Sequence, residues 1–248
     1  MEVAVIIPTK NEENSLPHLL SSLKKQTFRK FKTYVCDSDS TDKTKEIAKK
    51  YGAIITKGGL PAIARDHGAR EAIKKGAKIL IFIDADVILP TKDFLEKSVK
   101  EFKERKLDVA STEIIPCLIK KIKGKERFLP SKDVRLMLFY SIYNLIMRKS
   151  QNGKRPFMQN YMISNKETHK KIGGFENLEF GEDSEYSKKA VEKGFKFKLL
   201  ETPGKVFVSI RRFKEKGFLR MLILYLYFNA RVLMGHKFII QEKRGYFK

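Results

Sequence analysis

Cysteine is scarce in this 248-residue chain: Cys36 and Cys117 are its only two, and neither sits in a CxxC or Cys/His cluster. That excludes a zinc ribbon and a disulfide framework and leaves both residues to pack as small apolar groups. The four histidines, His18, His67, His169 and His236, are scattered and offer no paired ligands. No run of about 20 apolar residues occurs, so no helix is expected to span a bilayer. Met1-Glu2 leads directly into the strand-like segment 3–7, without the regions of a signal peptide. A cytoplasmic catalytic body is therefore expected. Internal repeats and low-complexity segments are also missing.

Acidic residues are in short supply too. Against 52 Lys+Arg stand 29 Asp+Glu, a formal net charge of +23, which calls for an anionic partner. The excess is uneven. Residues 119–155 carry 11 Lys/Arg and 2 Asp/Glu, and residues 201–248 carry 11 and 3. The same two windows hold the most apolar helical segments, 134–147 and 218–234. Basic residues flanking apolar helices suit an anionic membrane surface better than nucleic acid. No helix-turn-helix, zinc-finger or RNP-like signature supports a nucleic-acid partner. Both helices carry more apolar residues than one core-facing stripe needs. They pack in the core or a dimer interface, or they lie in a lipid interface at the inner face of the cell membrane.

What is present is an alternation of strands and helices over the first 115 residues. Segments 3–8 (VAVIIP), 32–36 (KTYVC), 53–56, 78–83 (KILIFI) and 107–115 read as strands. The nearly unbroken apolar runs suit parallel strands buried on both faces. Leu16, Leu19, Leu20 and Leu23 recur at helical spacing, and 61–75 and 91–106 read as further helices. Farther on, 119–132 reads as a basic connection, 157–164 as a strand, and 182–194 as a helix capped by its acids. This order argues a doubly wound α/β sheet. Ligands of such sheets bind beyond the carboxyl ends of the strands, where three polar clusters fall: Thr9-Lys10-Asn11-Glu12, Asp37-Ser38-Asp39 and Asp84-Ala85-Asp86.

Asp84 and Asp86 close the most apolar strand. Alternate residues on an extended chain lie about 7 Å apart and point the same way. Two carboxylates there form a hard-oxygen site for Mg²⁺ or Mn²⁺ completed by phosphate oxygens; the alternative is an acidic strand end. Asp37 can accept from a base N–H or a ribose hydroxyl, or it can simply belong to a turn. Gly181-Glu182-Asp183 opens a helix, where acids also serve as caps.

Together, VAVIIPTKNEE, YVCDSDSTDKT, ARDHGAREA, IFIDADVILP, GGF and GED occur in an order and spacing that resembles glycosyltransferase family 2, inverting enzymes with a GT-A fold. The resemblance covers roughly residues 3–200, with an echo at 209–212. It implies a GT-A doubly wound mixed sheet with flanking helices over residues 1–205. Within it, 1–115 would be the nucleotide-binding half and 116–205 the acceptor half, with 206–248 an apolar, basic, helical C-terminal extension.

The resemblance also implies roles. Pro8, Thr9 and Glu12 would line the nucleoside pocket of a nucleotide-diphosphate sugar, and Asp37 would contact the base. Arg65 would lie near the nucleotide, with Asp66 where the family often has Asn. Asp84 would approach the ribose and the metal, and Asp86 would bind the metal and through it the diphosphate. Asp183 would be the acceptor-side general base, and Arg211 and Arg212 would sit near the donor phosphates. A lipid-phosphate, lipid-linked or polysaccharide glycan acceptor is open, because Ile88 stands where polyprenyl-phosphate transferases often carry Gln. Two other readings compete. A nucleotidyltransferase would usually have a glycine-rich phosphate loop, which PTKNEE lacks; a non-catalytic basic binding module would need no carboxylate constellation.

Overall fold

The computed structural model describes residues 2–122, 125–178 and 180–234; the end of the C-terminal segment expected to be helical, residues 235–248, lies outside them. The first half runs β1 (Val3–Thr9), α1 (Leu16–Lys24), β2 (Phe31–Asp37), α2 (Thr44–Lys50), β3 (Ile54–Lys57), α3 (Pro61–Lys74), β4 (Ile79–Ile83), β5 (Val87–Ile88), α4 (Phe94–Glu104) and β6 (Val109–Ser111). The second half runs β7 (Ile114–Ile122), β8 (Lys125–Pro130), α5 (Val134–Ser150), β9 (Tyr161–Asn165), α6 (Lys166–Lys171), α7 (Glu182–Glu192), β10 (Phe197–Leu199), β11 (Val206–Ser209), α8 (Arg211–Lys216) and α9 (Phe218–Leu233).

Seven strands form one sheet in the order β10-β6-β9-β4-β1-β2-β3. All its pairs are parallel except those of β9, which runs antiparallel to β4 and β6. The central strands β1 and β4 are buried almost throughout, as an apolar run without alternation requires when helices cover both faces. Leu16, Leu19, Leu20 and Leu23 of α1 are buried as the spacing predicts. No helix among the described residues is long and apolar enough to cross a membrane.

Helix α3 packs unusually close to this sheet at Gly68. A Cβ there would come within 2.5 Å of Cys36 Sγ and 2.6 Å of Ile6 Cγ2, both in the core. Gly68→Ala is therefore expected to overpack the helix–sheet layer, at a cost of about 1–3 kcal/mol despite alanine's better helix propensity. For a chain of this size that lowers Tm by several degrees. A melting curve unchanged or raised relative to wild type would contradict the contact.

Several elements differ from the sequence-based expectation. Residues 119–132, expected to be a basic connection, fall largely in the antiparallel pair β7–β8 of a second sheet, ordered β5-β11-β7-β8. The expected strand 157–164 begins only at Tyr161, because 157–160 form a loop that includes Asn160 at φ 48°. The expected strand 107–115 is divided between the two sheets as β6 and the start of β7. Val206–Ser209, expected to lie in a helical extension, pair instead with β7 and β5. Helix α7 is preceded by Gly181 in the left-handed region, which offers no side-chain cap, and of its acids Asp183 accepts from a first-turn amide, the Ser184 N–H. The differences at 107–115, 119–132 and 206–209 share a cause: short strands of a small second sheet are specified by partners far away in sequence, which a local pattern does not register.

The inner face of α5 is held by Asn144. Its amide donates to the carbonyl of Ile114 at 2.8 Å and accepts from the Ile114 N–H at 3.0 Å. A buried side chain thus satisfies both backbone groups of Ile114, at the start of β7, and pins α5 over the smaller sheet.

Candidate active site

Three adjacent parallel strands, β4, β1 and β2, end at one edge of the large sheet. Register places Thr9 opposite Asp37, and the Thr9 hydroxyl points to Asp37 Oδ2 at 3.4 Å. Asp37 is buried. Its other oxygen accepts from the Ser40 N–H at 3.0 Å and lies 3.4 Å from Lys45 Nζ. The backbone of Gly58 and Gly59 closes this corner: Gly59 N–H donates to Ser38 Oγ, which donates to the Gly59 carbonyl. A Cβ on Gly58 would lie 2.3 Å from the Asp37 carbonyl carbon. Pro8, the residue before Thr9, is partly exposed at the same edge.

Beyond β1, Glu12 binds Arg211 through both carboxylate oxygens, at 3.0 and 3.1 Å. Helix α8 is thereby tied to the loop after β1. Its next residue, Arg212, is the leading cationic influence on Asp86, with Arg211 a lesser one. Burial pushes the Asp86 carboxyl up to about 6, Asp84 and Glu12 push the same way, and the two arginines oppose them.

Asp84 is held on both oxygens. Arg65 donates to Oδ1 at 2.7 Å and Asn160 to Oδ2 at 3.0 Å, while the Asp84 N–H donates to the Asn160 carbonyl at 3.0 Å. The other arm of Arg65 donates to Glu182 Oε1 at 2.6 Å. This guanidinium is buried and lies over the Phe175 ring, 5.4 Å from its centroid. Its charge is reinforced by Asp84, Glu182 and Asp183 against the cost of burial. Arg65 thus joins the end of β4 to the start of α7.

Asp183 accepts from the Ser184 N–H at 2.7 Å. Burial, and next the neighbouring Glu182, push its carboxyl up to about 8, with Arg65 pulling it back. Asp66 turns away from this cluster. It accepts from the Phe175 N–H at 3.0 Å, lies 3.5 Å from His169 Nε2, and is pushed up to about 6 by burial. Gly174, at φ 72°, leaves room for it: a Cβ there would meet Asp66 Oδ1 at 2.7 Å. Asp66, which stands where the family often has Asn, therefore buttresses the Gly173-Gly174-Phe175 turn on which Arg65 rests.

A cavity of about 40 Å³ adjoins Asp84 and Asp86, walled by Tyr140 and Tyr143 of α5, Asn160, Arg212 and Tyr225 of α9. It has room for a few water-sized groups. Burial raises both tyrosine hydroxyls of α5 well above their usual range, so they stay neutral donors. Asn160, Tyr143 and Tyr225 carried no sequence signal, since each reaches the acids from a distant segment. Glu12–Arg211 spans 199 positions and was equally invisible as a pair. Both thiols are buried and pushed up, Cys36 to about 11 and Cys117 to about 12, so neither is a nucleophile near neutral pH.

Among the described residues no group of three or more His, Cys, Asp or Glu side chains is placed to hold a metal ion. Asp84 and Asp86 offer two carboxylates, with both Asp84 oxygens also accepting from Arg65 and Asn160. That fits Mg²⁺ or Mn²⁺, which leave positions to phosphate oxygens and water, and does not fit a four-ligand zinc cage. The arrangement can hold a cation and an anionic group between Asp86 and the two arginines, with a carboxylate of high proton affinity, Asp183, nearby.

Comparison with known proteins gives this geometry a context. Among curated relatives, the 4,4'-diaponeurosporenoate glycosyltransferase of Staphylococcus haemolyticus is 36% identical over 111 residues, which are 40% of this chain and 28% of that protein. The match to the first curated relatives thus spans less than a third of their length. Among solved structures, S. aureus TarS in complex with UDP-GlcNAc superposes with a TM-score of 0.61 at 21% identity, over 85% of this chain and 59% of that one. The mannosyltransferase PcManGT from Pyrobaculum calidifontis, in complex with GDP-Man and Mn²⁺, gives 0.58 at 20%, over 84% and 56%. At such identities the superpositions establish the GT-A-like mixed sheet with flanking helices. The model of glycosyl transferase family 2 matches residues 4–172, which contain the carboxyl ends of β1, β2 and β4 and the buried Arg65, and the chain belongs to that family.

Proposed function

We propose that this chain transfers a sugar from a nucleotide-diphosphate donor, with inversion and with Mg²⁺ or Mn²⁺, to a lipid-linked, polyprenyl-phosphate or polysaccharide acceptor. One observation carries the reading: Arg65 binds Asp84 and Glu182 at 2.7 and 2.6 Å. The donor-side DAD strand end and the acceptor-side GED helix start thereby belong to one cluster. Complexes of structural relatives with UDP-GlcNAc and with GDP-Man and Mn²⁺ support it.

In this reading Pro8, Thr9 and Asp37 receive the nucleoside, with Gly58 and Gly59 as the opposing wall. Asp86, with Asp84 held rigid beside it, is the carboxylate that would bind the cation. Held by Asp86, a divalent ion would supply charge neutralisation to the departing diphosphate. Arg212, and Arg211 oriented by Glu12, add fixed positive charge on the same side. Asp183 takes the proton of a hydroxyl acceptor that attacks from the opposite face. Residues 1–115 then serve as the nucleotide half and 116–205 as the acceptor half, with α8 and α9 closing the cavity. The protein works in the cytoplasm, at the inner face of the cell membrane.

The test is thermal. UDP, GDP or TDP with Mn²⁺ at about a hundred times Kd adds about 2.7 kcal/mol, a rise in Tm of about 5–10 °C. Asp86→Ala removes that rise, and DNA produces none. If no nucleoside diphosphate stabilises the wild-type protein with either cation, the reading is wrong.

A further inference from the structure

The outward faces of α5 and α9 hold most of the exposed large apolar residues among those described. Of the fourteen exposed large apolar residues among those described, eleven lie on these two helices or at Met234 just beyond them. On α5, Val134 is 77% exposed and Leu138 60%, with Ile142 and Leu145 on the same arc. On α9, Leu219 is 67% exposed and Leu226 61%, with Ile223 between them. Scattered apolar residues need no explanation, but a concentration like this marks an interaction site.

The two helices touch. Arg135 lies over the Phe218 ring at 5.3 Å, and the rings of Phe139 and Tyr225 are 5.6 Å apart, so the exposed apolar residues sit on neighbouring helices. The border is basic. Lys132, Lys149, Lys214, Lys216 and Arg220 are exposed. Asp133 is the only acid of 131–150, and Glu215 the only one of 211–234.

We infer that the outward faces of α5 and α9 form one docking surface for an anionic bilayer, from which a lipid-borne acceptor enters the site. Apolar arcs settle at the acyl boundary while Lys and Arg meet the head groups. A second copy of this chain fits less well, because a symmetric contact would bring two basic rims together. The inward faces of the same helices explain the acceptor: Tyr140 and Tyr143 of α5 and Tyr225 of α9 wall the cavity at Asp84 and Asp86. A head group leaving the bilayer beside these helices has only their thickness to pass. This identifies the acceptor class of the transfer reaction proposed above and rests on that reading.

Flotation of the whole protein tests it, with vesicles of phosphatidylcholine alone and of equal parts phosphatidylcholine and phosphatidylglycerol. The wild type is expected to float with the anionic vesicles, less at high salt, and far less with the neutral ones. Leu138→Glu with Leu226→Glu lowers the bound fraction at least about tenfold. Lys149→Glu with Arg220→Glu, which leaves the apolar arcs intact, lowers it and flattens its salt dependence. Both variants keep the wild-type rise in Tm with nucleoside diphosphate and Mn²⁺, which also verifies that they fold. The inference is overturned if the wild type stays at the bottom with anionic vesicles, if neutral vesicles bind it equally, or if it sediments as a dimer that the Leu138→Glu, Leu226→Glu variant dissociates. Nucleotide binding without flotation removes the docking surface alone; flotation without nucleotide binding removes the transfer reaction and leaves the surface standing.

Discussion

Asp183→Asn is expected to lower transfer to a hydroxyl acceptor by about 10²–10⁴-fold while leaving the nucleotide-dependent rise in Tm intact. Asparagine keeps the side chain's shape but cannot take a proton. The pH dependence carries further information. Burial, and next Glu182, push the Asp183 carboxyl well above the ordinary carboxylate range, so it holds its proton to higher pH than a free carboxyl would. A base must be ionised, so the wild-type rate should climb with pH. A cation held at Asp86 would favour the ionised form and shift that limb to lower pH. Stability responds the opposite way. Because the folded-state value lies above the unfolded one, the native chain holds this proton longer. The group's contribution is complete below the unfolded value near 4 and is lost as pH rises toward 8. Asp183→Asn should therefore gain in Tm relative to wild type across that window. Transfer assays with a hydroxyl acceptor between pH 5.5 and 9, beside melting curves at the same pH values, check both. An unchanged rate would assign the proton to another base, or the acceptor role to a phosphate, which is already ionised and needs none.

Arg65→Met is expected to damage both stability and activity. The substitution leaves Asp84 and Glu182 without their shared cation in a partly buried cluster that also holds Asp183 and Asp86. Breaking a buried pair in this way costs about 3–5 kcal/mol, which for a chain of this length is a fall in Tm of about 6–20 °C. Arg65→Lys should recover only part of it, since one ammonium cannot present two separated donors to two carboxylates. Melting curves of the three proteins at pH 7.5 test this; a Met variant as stable as wild type would mean that the bridge is not what holds α7 against β4.

The ease with which these acids were found in the sequence has a physical origin. Strands buried on both faces read as unbroken apolar runs, so VAVIIP and KILIFI mark their own ends, and the first polar residues after them fall on the ligand-binding edge by topology. Asp37 and the Asp84-Ala85-Asp86 triplet were legible for that reason. Arg65 stood out only within its motif, and nothing local distinguished a residue that touches nucleotide from one that bridges two carboxylates. Asp66 beside it turned out to support a glycine turn more than a hundred positions away. Asn160 offered even less, because its grip on Asp84 depends on a loop whose place is decided by β9 pairing antiparallel between β4 and β6.

Membership of a doubly wound α/β class, the edge on which its acids gather and the basic, apolar character of two late helices follow from the chain alone, since each depends on local period, composition or order. Which oxygens of Asp84 are occupied, which arginine meets Glu12, and which side of α5 and α9 faces water were decided only by the tertiary structure. Those outcomes depend on contacts between residues 19 to 199 positions apart, and the pattern of a single strand or helix holds only one partner of each.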